Sequence, residues 1–137
     1  MRPKAPKKRK NHRRIISEPH LRMIRQLPCL LSGREAEACH ISYGSQTHSK
    51  PHNAMALKPD DQYVVPMCPE LHRMLPGSQH NHNEEQWWQQ FTLDPIAIAL
   101  RLWAVGRNYE AMISIVNEIE LTPDAQARVL AILQGEK

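Results

Sequence analysis

The sequence predicts an α+β fold in which two short strands and a helix sit inside a mostly helical small domain. Three observations lead there. Two short β-prone pieces, near Ala38–Ser42 and Tyr63–Pro66, flank a long polar segment rich in Ser, His, Lys, Asn and Pro. The second piece runs directly into a helix start at Pro69. From residue 83 onward, apolar residues recur at spacings of three and four, punctuated by capping residues and prolines. A chain of 137 residues is long enough to bury one real core.

The elements follow in order. Ser17 caps a helix with Glu18 and Pro19 in its first turn, and the helix runs to about Leu27, where Pro28 ends it. Cys29 to Gly33 reads as a turn before the first strand, and Tyr43 to Asp61 as a polar connection to the second. Pro69 opens a helix capped by Cys68, and Pro76-Gly77 stops it near Leu75. Asn83 caps a helix carrying Trp87 and Trp88, and Asp94-Pro95 starts another with Ile96, Leu100 and Trp103 along one stripe. Tyr109, Met112, Ile113, Val116 and Ile119 mark a third. Thr122-Pro123-Asp124 opens the last, with Ala125, Val129, Ile132 and Leu133 facing inward and Gly135 as its stop. These stripes are read as packing. Trp87-Trp88 is likewise read as packing on the preceding helix, in preference to a platform for unpaired bases.

Charge is unevenly spread. The net charge is +4, yet residues 1–14 hold eight of the eighteen Lys and Arg and no acid, leaving ten bases against fourteen acids in the remainder. The chain therefore divides into a disordered basic arm over 1–16, a domain over 17–105, and a helical hairpin over 106–137 packed on it. Lys7, Lys8, Arg9, Lys10, Arg13 and Arg14 of the arm suit contact with nucleic-acid phosphates, without reading sequence. A solubilising tail or a targeting signal is the competing use of such an arm. The longest apolar stretch, Ile96 to Val105, is interrupted by Arg101 and is too short for a membrane span. No apolar segment follows the basic residues, so the arm is no secretory signal. Three cysteines do not make an extracellular disulfide framework. A cytoplasmic setting, in a bacterial host or encoded by a phage, is expected.

The middle of the chain carries the chemistry. His40 lies on the first strand, His72 in the first turns of the helix after the second strand, and His80 and His82 beyond the Pro76-Gly77 break. Around them stand an Ala38-Cys39-His40-Ile41 strand, a Lys58-Pro59-Asp60-Asp61 segment, Val65-Pro66-Met67-Cys68 before the helical histidine, a Gln79-His80 step and Trp87-Trp88. The pattern resembles the HNH, or ββα-metal, endonuclease superfamily. It is closest in kind to the phage and prophage branch that includes the recombination enhancement function (Ref) nuclease. The match covers roughly residues 20–105, and it is the spacing of the elements that makes it specific.

The resemblance implies a ββα-metal finger, two short antiparallel strands plus a helix, within a nuclease domain over 17–105. It implies metal-dependent hydrolysis of DNA phosphodiester bonds, as a nick or a double-strand break. Such hydrolysis needs an activated water, a neutralised phosphate and help for the departing oxygen. By resemblance, His40 is the general base, a role that suits a neutral imidazole. His72 and His80 would hold one divalent cation, magnesium or manganese for activity, with zinc also able to occupy the site. Asp61 falls near the family's bracing residue and takes a supporting role in orienting the base. DNA is the expected partner, a recombination protein a further one, no membrane is involved, and the oligomeric state is open.

This sequence also departs from the family. Many members carry an Asp or His ligand before the base, where this chain has Cys39, read as packing in preference to a soft-metal ligand. Of the two Cys-x-x-Cys pairs found in many members, only Cys29 and Cys68 remain, with Ser32 and Leu71 in the other places. A four-cysteine zinc site is excluded, and the two thiols are expected to be reduced neighbours. Seven residues separate His72 from His80, so the loop must fold back, and His82 competes as a ligand. His12, His20, His48 and His52 are read as surface or hydrogen-bonded residues, with Lys50 and Lys58 in the same basic loop as candidates for phosphate contact.

Two alternatives remain at this point. One is a non-catalytic DNA-binding or recombination accessory protein that keeps the finger as a scaffold. The other is a structural zinc module closed by Cys39, His72, His80 and His82.

Overall fold

The computed structural model describes residues 3, 5, 14–53 and 58–137, and within them the fold is mixed α+β. The described residues hold a two-stranded antiparallel sheet, five α-helices and two short helical turns.

Helix α1 spans Glu18–Gln26 and starts as its sequence dictates: the Ser17 hydroxyl accepts the His20 N–H at 3.3 Å, with Glu18 in the first turn. Leu27 is extended, as a residue before proline must be. Arg14 and Ile15, assigned from sequence to the disordered arm, are instead docked on the body beside the Ser17 cap. Ile15 N–H donates to Asp60 Oδ1 at 2.8 Å, Asp61 N–H to the Ile15 carbonyl at 2.8 Å, and Ser17 N–H to Asp61 Oδ2 at 2.8 Å. The folded body therefore includes Arg14 and Ile15, ahead of the expected boundary at residue 17. Lys7, Lys8, Arg9, Lys10, His12 and Arg13 lie outside the described residues.

Strand β1 is Glu37–His40 and β2 is Val64–Met67, paired Glu37↔Met67, Ala38↔Pro66, Cys39↔Val65 and His40↔Val64. The expected spans were displaced from these by a residue or two. Pairing continues only as a single bond, Ile41 N–H to the Tyr63 carbonyl at 2.9 Å. Pro66, which has no N–H to give, accepts from Leu30 N–H at 3.0 Å through its carbonyl. Every residue of β2 is buried, so the strand shows no alternation of apolar and polar residues.

The polar connection is more structured than a loop. Ser45 and Lys50 exchange backbone hydrogen bonds at 2.9 and 2.8 Å, forming a tight hairpin. Lys50 itself overturns an expectation. Proposed from sequence to contact phosphate, it is 0 % exposed, with Nζ donating to the Pro51 carbonyl at 3.2 Å and lying 4.9 Å from the Tyr63 ring centroid. An ammonium held by carbonyl and aromatic face can be buried.

After β2 comes one π-helical turn, Glu70–Met74, where a regular helix capped by Cys68 was expected. Leu75 N–H reaches back to the Glu70 carbonyl at 3.1 Å, and no side chain caps the turn. Pro76 forces Leu75 into extended backbone and ends the element at once. A 3₁₀ turn, Gln79–Asn81, follows.

Helices α2 (Glu84–Gln89), α3 (Pro95–Ala104), α4 (Tyr109–Asn117) and α5 (Pro123–Leu133) begin at the side-chain caps Asn83, Asp94, Asn108 and Thr122. The buried face of α3 is Ile96, Ile98, Ala99 and Leu102, not the expected Ile96, Leu100 and Trp103. In so apolar a segment, local periodicity does not select a face and tertiary packing does. Trp88, Phe91, Leu102, Met112 and Ile132 anchor the core. Helix α5 presses on the Pro76-Gly77 turn so closely that a Cβ on Gly77 would stand 2.4 Å from the Glu136 carbonyl oxygen. No helix among the described residues is long and apolar enough to cross a membrane.

Candidate functional site

Strand β1 presents its side chains alternately, and the candidate site is built on both faces. Ala38 and His40 share one face, Glu37 and Cys39 the other. Each face has its own histidine pairing.

On the first face, His40 Nε2 lies 2.8 Å from Asp61 Oδ1. Asp61 is fully buried, and its remaining bonds are equally short: Arg14 Nη2 donates to Oδ1 at 2.9 Å and Ser17 N–H to Oδ2 at 2.8 Å. Arg14 is fixed in turn by Nε donating to the Pro59 carbonyl at 2.9 Å. Burial works to raise the Asp61 pKa, but the His40 and Ser17 hydrogen bonds and the Arg14 charge together hold it below the usual carboxylate value. An ionised Asp61 only accepts, so His40 must donate from Nε2. Nδ1 then keeps its lone pair, and the side chain is 19 % exposed. Burial lowers the His40 pKa; Asp61 opposes that, while Arg14 and Lys58 reinforce it. The result is a neutral imidazole of defined tautomer, the form required of a base.

On the second face, Glu37 Oε1 accepts from His72 Nδ1 at 2.7 Å and from Arg73 Nε at 2.8 Å, and Oε2 accepts from Arg73 Nη2 at 3.1 Å. His72 is therefore held with Nδ1–H toward the carboxylate and the Nε2 lone pair available, the state of a histidine prepared to ligate a metal. Burial lowers the His72 pKa, with Glu37 opposing and His80 reinforcing. The His80 ring stands edge-on to the His72 ring, 4.4 Å between centroids, so the chain does fold back across the Pro76-Gly77 turn. Trp87 secures that turn by donating Nε1–H to the Gly77 carbonyl at 2.8 Å.

The structure thus brings together His40 with Asp61 and His72 with His80. It does not draw the four into one cluster: among the described residues, no three or more His, Cys, Asp or Glu side chains converge as a metal site. His82 is exposed, with Nε2 3.3 Å from the Pro76 carbonyl oxygen. Cys39 is buried and donates its thiol to Gln79 Oε1 at 3.0 Å, and burial pushes its pKa well up. The Cys39 thiol is thus engaged in packing and in a hydrogen bond to the turn that carries His80.

The remaining candidates are equally specific. Arg14 is already engaged by Asp61 and the Pro59 carbonyl. Lys58 is exposed and its charge is felt at His40, which keeps it a candidate for phosphate contact. Cys29, Cys39 and Cys68 form no disulfide, and the Ser32 hydroxyl lies 3.3 Å from Cys68 Sγ. Trp87 and Trp88 are buried edge to face at 5.1 Å. His48 contacts Asp94 Oδ2 at 2.9 Å, as expected of a hydrogen-bonded residue, whereas His20 is buried against Trp103, and its Nε2 finds no hydrogen-bond partner among the described residues.

Sequence reading missed Glu37 and Glu84, and it named Gln79 only as the step before His80. The three complete the polar network, yet Glu37 and Glu84 belong to no spacing pattern. Only the strand alternation that puts Glu37 and Cys39 on one face gave a signal. Beside them opens a cleft of about 1070 Å³ lined by Ser42, Tyr43, Glu84, Glu85 and Asp94, among others, whose acids make it a poor phosphate channel. Comparison of the chain with protein-family models, with curated proteins and with solved structures finds no match to any of them.

Proposed function

We propose that the chain is a metal-dependent endonuclease of the HNH type, hydrolysing phosphodiester bonds of DNA through a ββα-metal finger made by β1, β2 and the π-helical turn. The observation that carries the reading is the His40–Asp61 pair at 2.8 Å. A buried carboxylate that fixes one ring nitrogen as donor leaves the other as a base, and packing alone has no use for that arrangement. His40 Nδ1 takes the proton of the attacking water. Asp61 stabilises the imidazolium that results and returns the ring to its starting tautomer.

The donor set on the second face fits a divalent cation. His72 is neutral, oriented by Glu37, and set against a second imidazole. Two imidazoles would suit zinc or a similar transition-metal ion better than magnesium. Such an ion supplies charge neutralisation at the scissile phosphate and the leaving oxygen. Lys58 and the basic arm supply non-specific attraction for the DNA backbone, which depends on salt and ignores sequence.

The test is cleavage of supercoiled plasmid with manganese present. His40→Ala is expected to lower the rate by about 100-fold or more while DNA binding is retained. Cleavage at an unchanged rate sinks the assignment of the base. No cleavage by the unaltered protein with manganese, magnesium or zinc favours the accessory-scaffold alternative.

A further inference from the structure

Glu84 has partners that its place in the helix does not require. It opens α2 directly after the Asn83 cap, where an acid is favourable simply by facing the free N–H groups of the first turn. Its carboxylate instead points to other segments. Oε1 accepts from the backbone N–H of both Ser42 and Tyr43 at 2.9 Å, and Oε2 accepts from Gln79 Nε2 at 2.6 Å. Gln79 is almost fully buried, and its own Oε1 accepts the Cys39 thiol at 3.0 Å. The Gln79 amide is thereby fixed in one orientation, with a donor on one side and an acceptor on the other.

The consequence follows from what adjoins each partner in the chain. Ser42 and Tyr43 are the exit of the strand that carries His40. Gln79 immediately precedes His80. Asn81, at the other end of the same turn, bonds only to nearby chain, through Nδ2 to the Leu75 carbonyl at 2.9 Å and the Ser78 hydroxyl at 3.2 Å. Among the described residues, the side-chain hydrogen bonds reaching from the 79–81 turn to β1 and its exit are those of Gln79, backed by Glu84.

We propose that Glu84 is a positioning residue for this site. Shared between the Ser42 and Tyr43 amides and the Gln79 amide, its carboxylate sets where His80 stands relative to His72 and to the His40 strand. The inference rests on reading His72 and His80 as the metal ligands. It treats the two faces of the site as one rigid unit with a single carboxylate at the joint.

Two variants test it. Glu84→Ala removes all three bonds. Gln79→Leu cuts the link to the histidine turn and leaves the Ser42 and Tyr43 bonds in place, so it remains informative should Glu84→Ala fail to fold. Each is expected to weaken zinc binding, measured by calorimetry, by about tenfold or more, as the loss of an orienting partner does. Each is expected to lower the plasmid-cleavage kcat while leaving KM for DNA unchanged. Glu84→Gln, after a flip of the Gln79 amide, is expected to recover most of what Glu84→Ala loses. Imidazole nitrogen–proton correlation spectra of the metal-free protein provide the independent readout: the His80 resonances shift in the Ala and Leu variants and return toward their starting positions in the Gln variant. If the unaltered protein binds no zinc and cuts no DNA, the nuclease reading falls, and those spectra still decide the role of Glu84. His80 resonances and zinc affinity that stay put in folded Glu84→Ala or Gln79→Leu overturn the proposal.

Discussion

The two histidine pairs are held by opposite strategies. His40 is fixed from far away in the chain: its partner Asp61 is fully buried and is tied to Arg14 and Ser17, 47 and 44 residues distant. His80 rides on a single 3₁₀ turn with its ring exposed, and the bonds that steady it pass through its neighbour Gln79. The difference has a physical meaning. A base must keep one tautomer and one direction through the whole reaction, so preorganisation there is worth long-range structure. A ligand that shares an ion with water and phosphate tolerates a looser mount. On the proposed reading, the base half is built into the fold, and the metal half is joined to it through Gln79 and Glu84.

The harshest break of that contrast is Asp61→Ala. It strands the Ser17 N–H, the Arg14 guanidinium and the His40 ring at once, and breaking a buried ionic network from one side costs about 3 kcal/mol. The melting temperature is expected to fall by roughly 10 °C. Plasmid cleavage should fall by about 100-fold or more, since the base loses both its tautomer and its counter-charge. A variant that melts with the unaltered protein shows that the base half is no more embedded than the metal half, and the contrast is lost.

What could be read from sequence divides along the same line. The helix starts at Ser17, Asn83, Asp94 and Thr122 were legible because capping is local, decided within three residues. The histidines stood out by type and by their positions on strand and helix. Arg14 and Lys50 were misread for one shared reason. In a polar run, a cation looks available for phosphate, and nothing nearby shows that Asp61 claims one and the Tyr63 ring the other. Glu37 and Glu84, and the role of Gln79 beyond its place before His80, were invisible for the converse reason: each acts on a partner contributed by another segment. The helix after β2 was legible as an element but not as a π-turn, because the spacing of Glu70, Leu71 and His72 is the same in either winding until Pro76 closes it.

A gentler break acts on the metal half. Glu37→Ala removes the acceptor that holds His72 Nδ1–H, and zinc affinity is expected to drop by about 10- to 100-fold. Stability should change by under about 1 kcal/mol, since the Glu37–Arg73 pair it also removes is partly exposed. A large stability loss with unchanged zinc affinity would make Glu37 a strut of the sheet edge rather than an orienting partner, and the two halves would then be built alike.

The finest separation is by pH. The pKa values of His20, His40 and His72 all lie below the ordinary 6.5, in each case chiefly through burial. The unfolded chain therefore binds more protons than the folded one just below pH 6.5. The contribution of these three histidines to stability then falls as pH drops through 6.5 toward the folded values and is level above it. Urea midpoints between pH 5 and 8 check that slope. The rate should follow a narrower rule, because only His40 must be neutral as the base. With Asp61 in place, the acid limb of kcat/KM is expected to lie below pH 6.5. Asp61→Asn removes the charge that raises the His40 pKa, so its limb should move further to the acid side while its plateau falls. A structural defect alone lowers the plateau and leaves the limb where it was. A limb that fails to move in Asp61→Asn would therefore detach Asp61 from the titration of His40, and with it the claim that this half of the site is tuned rather than merely braced.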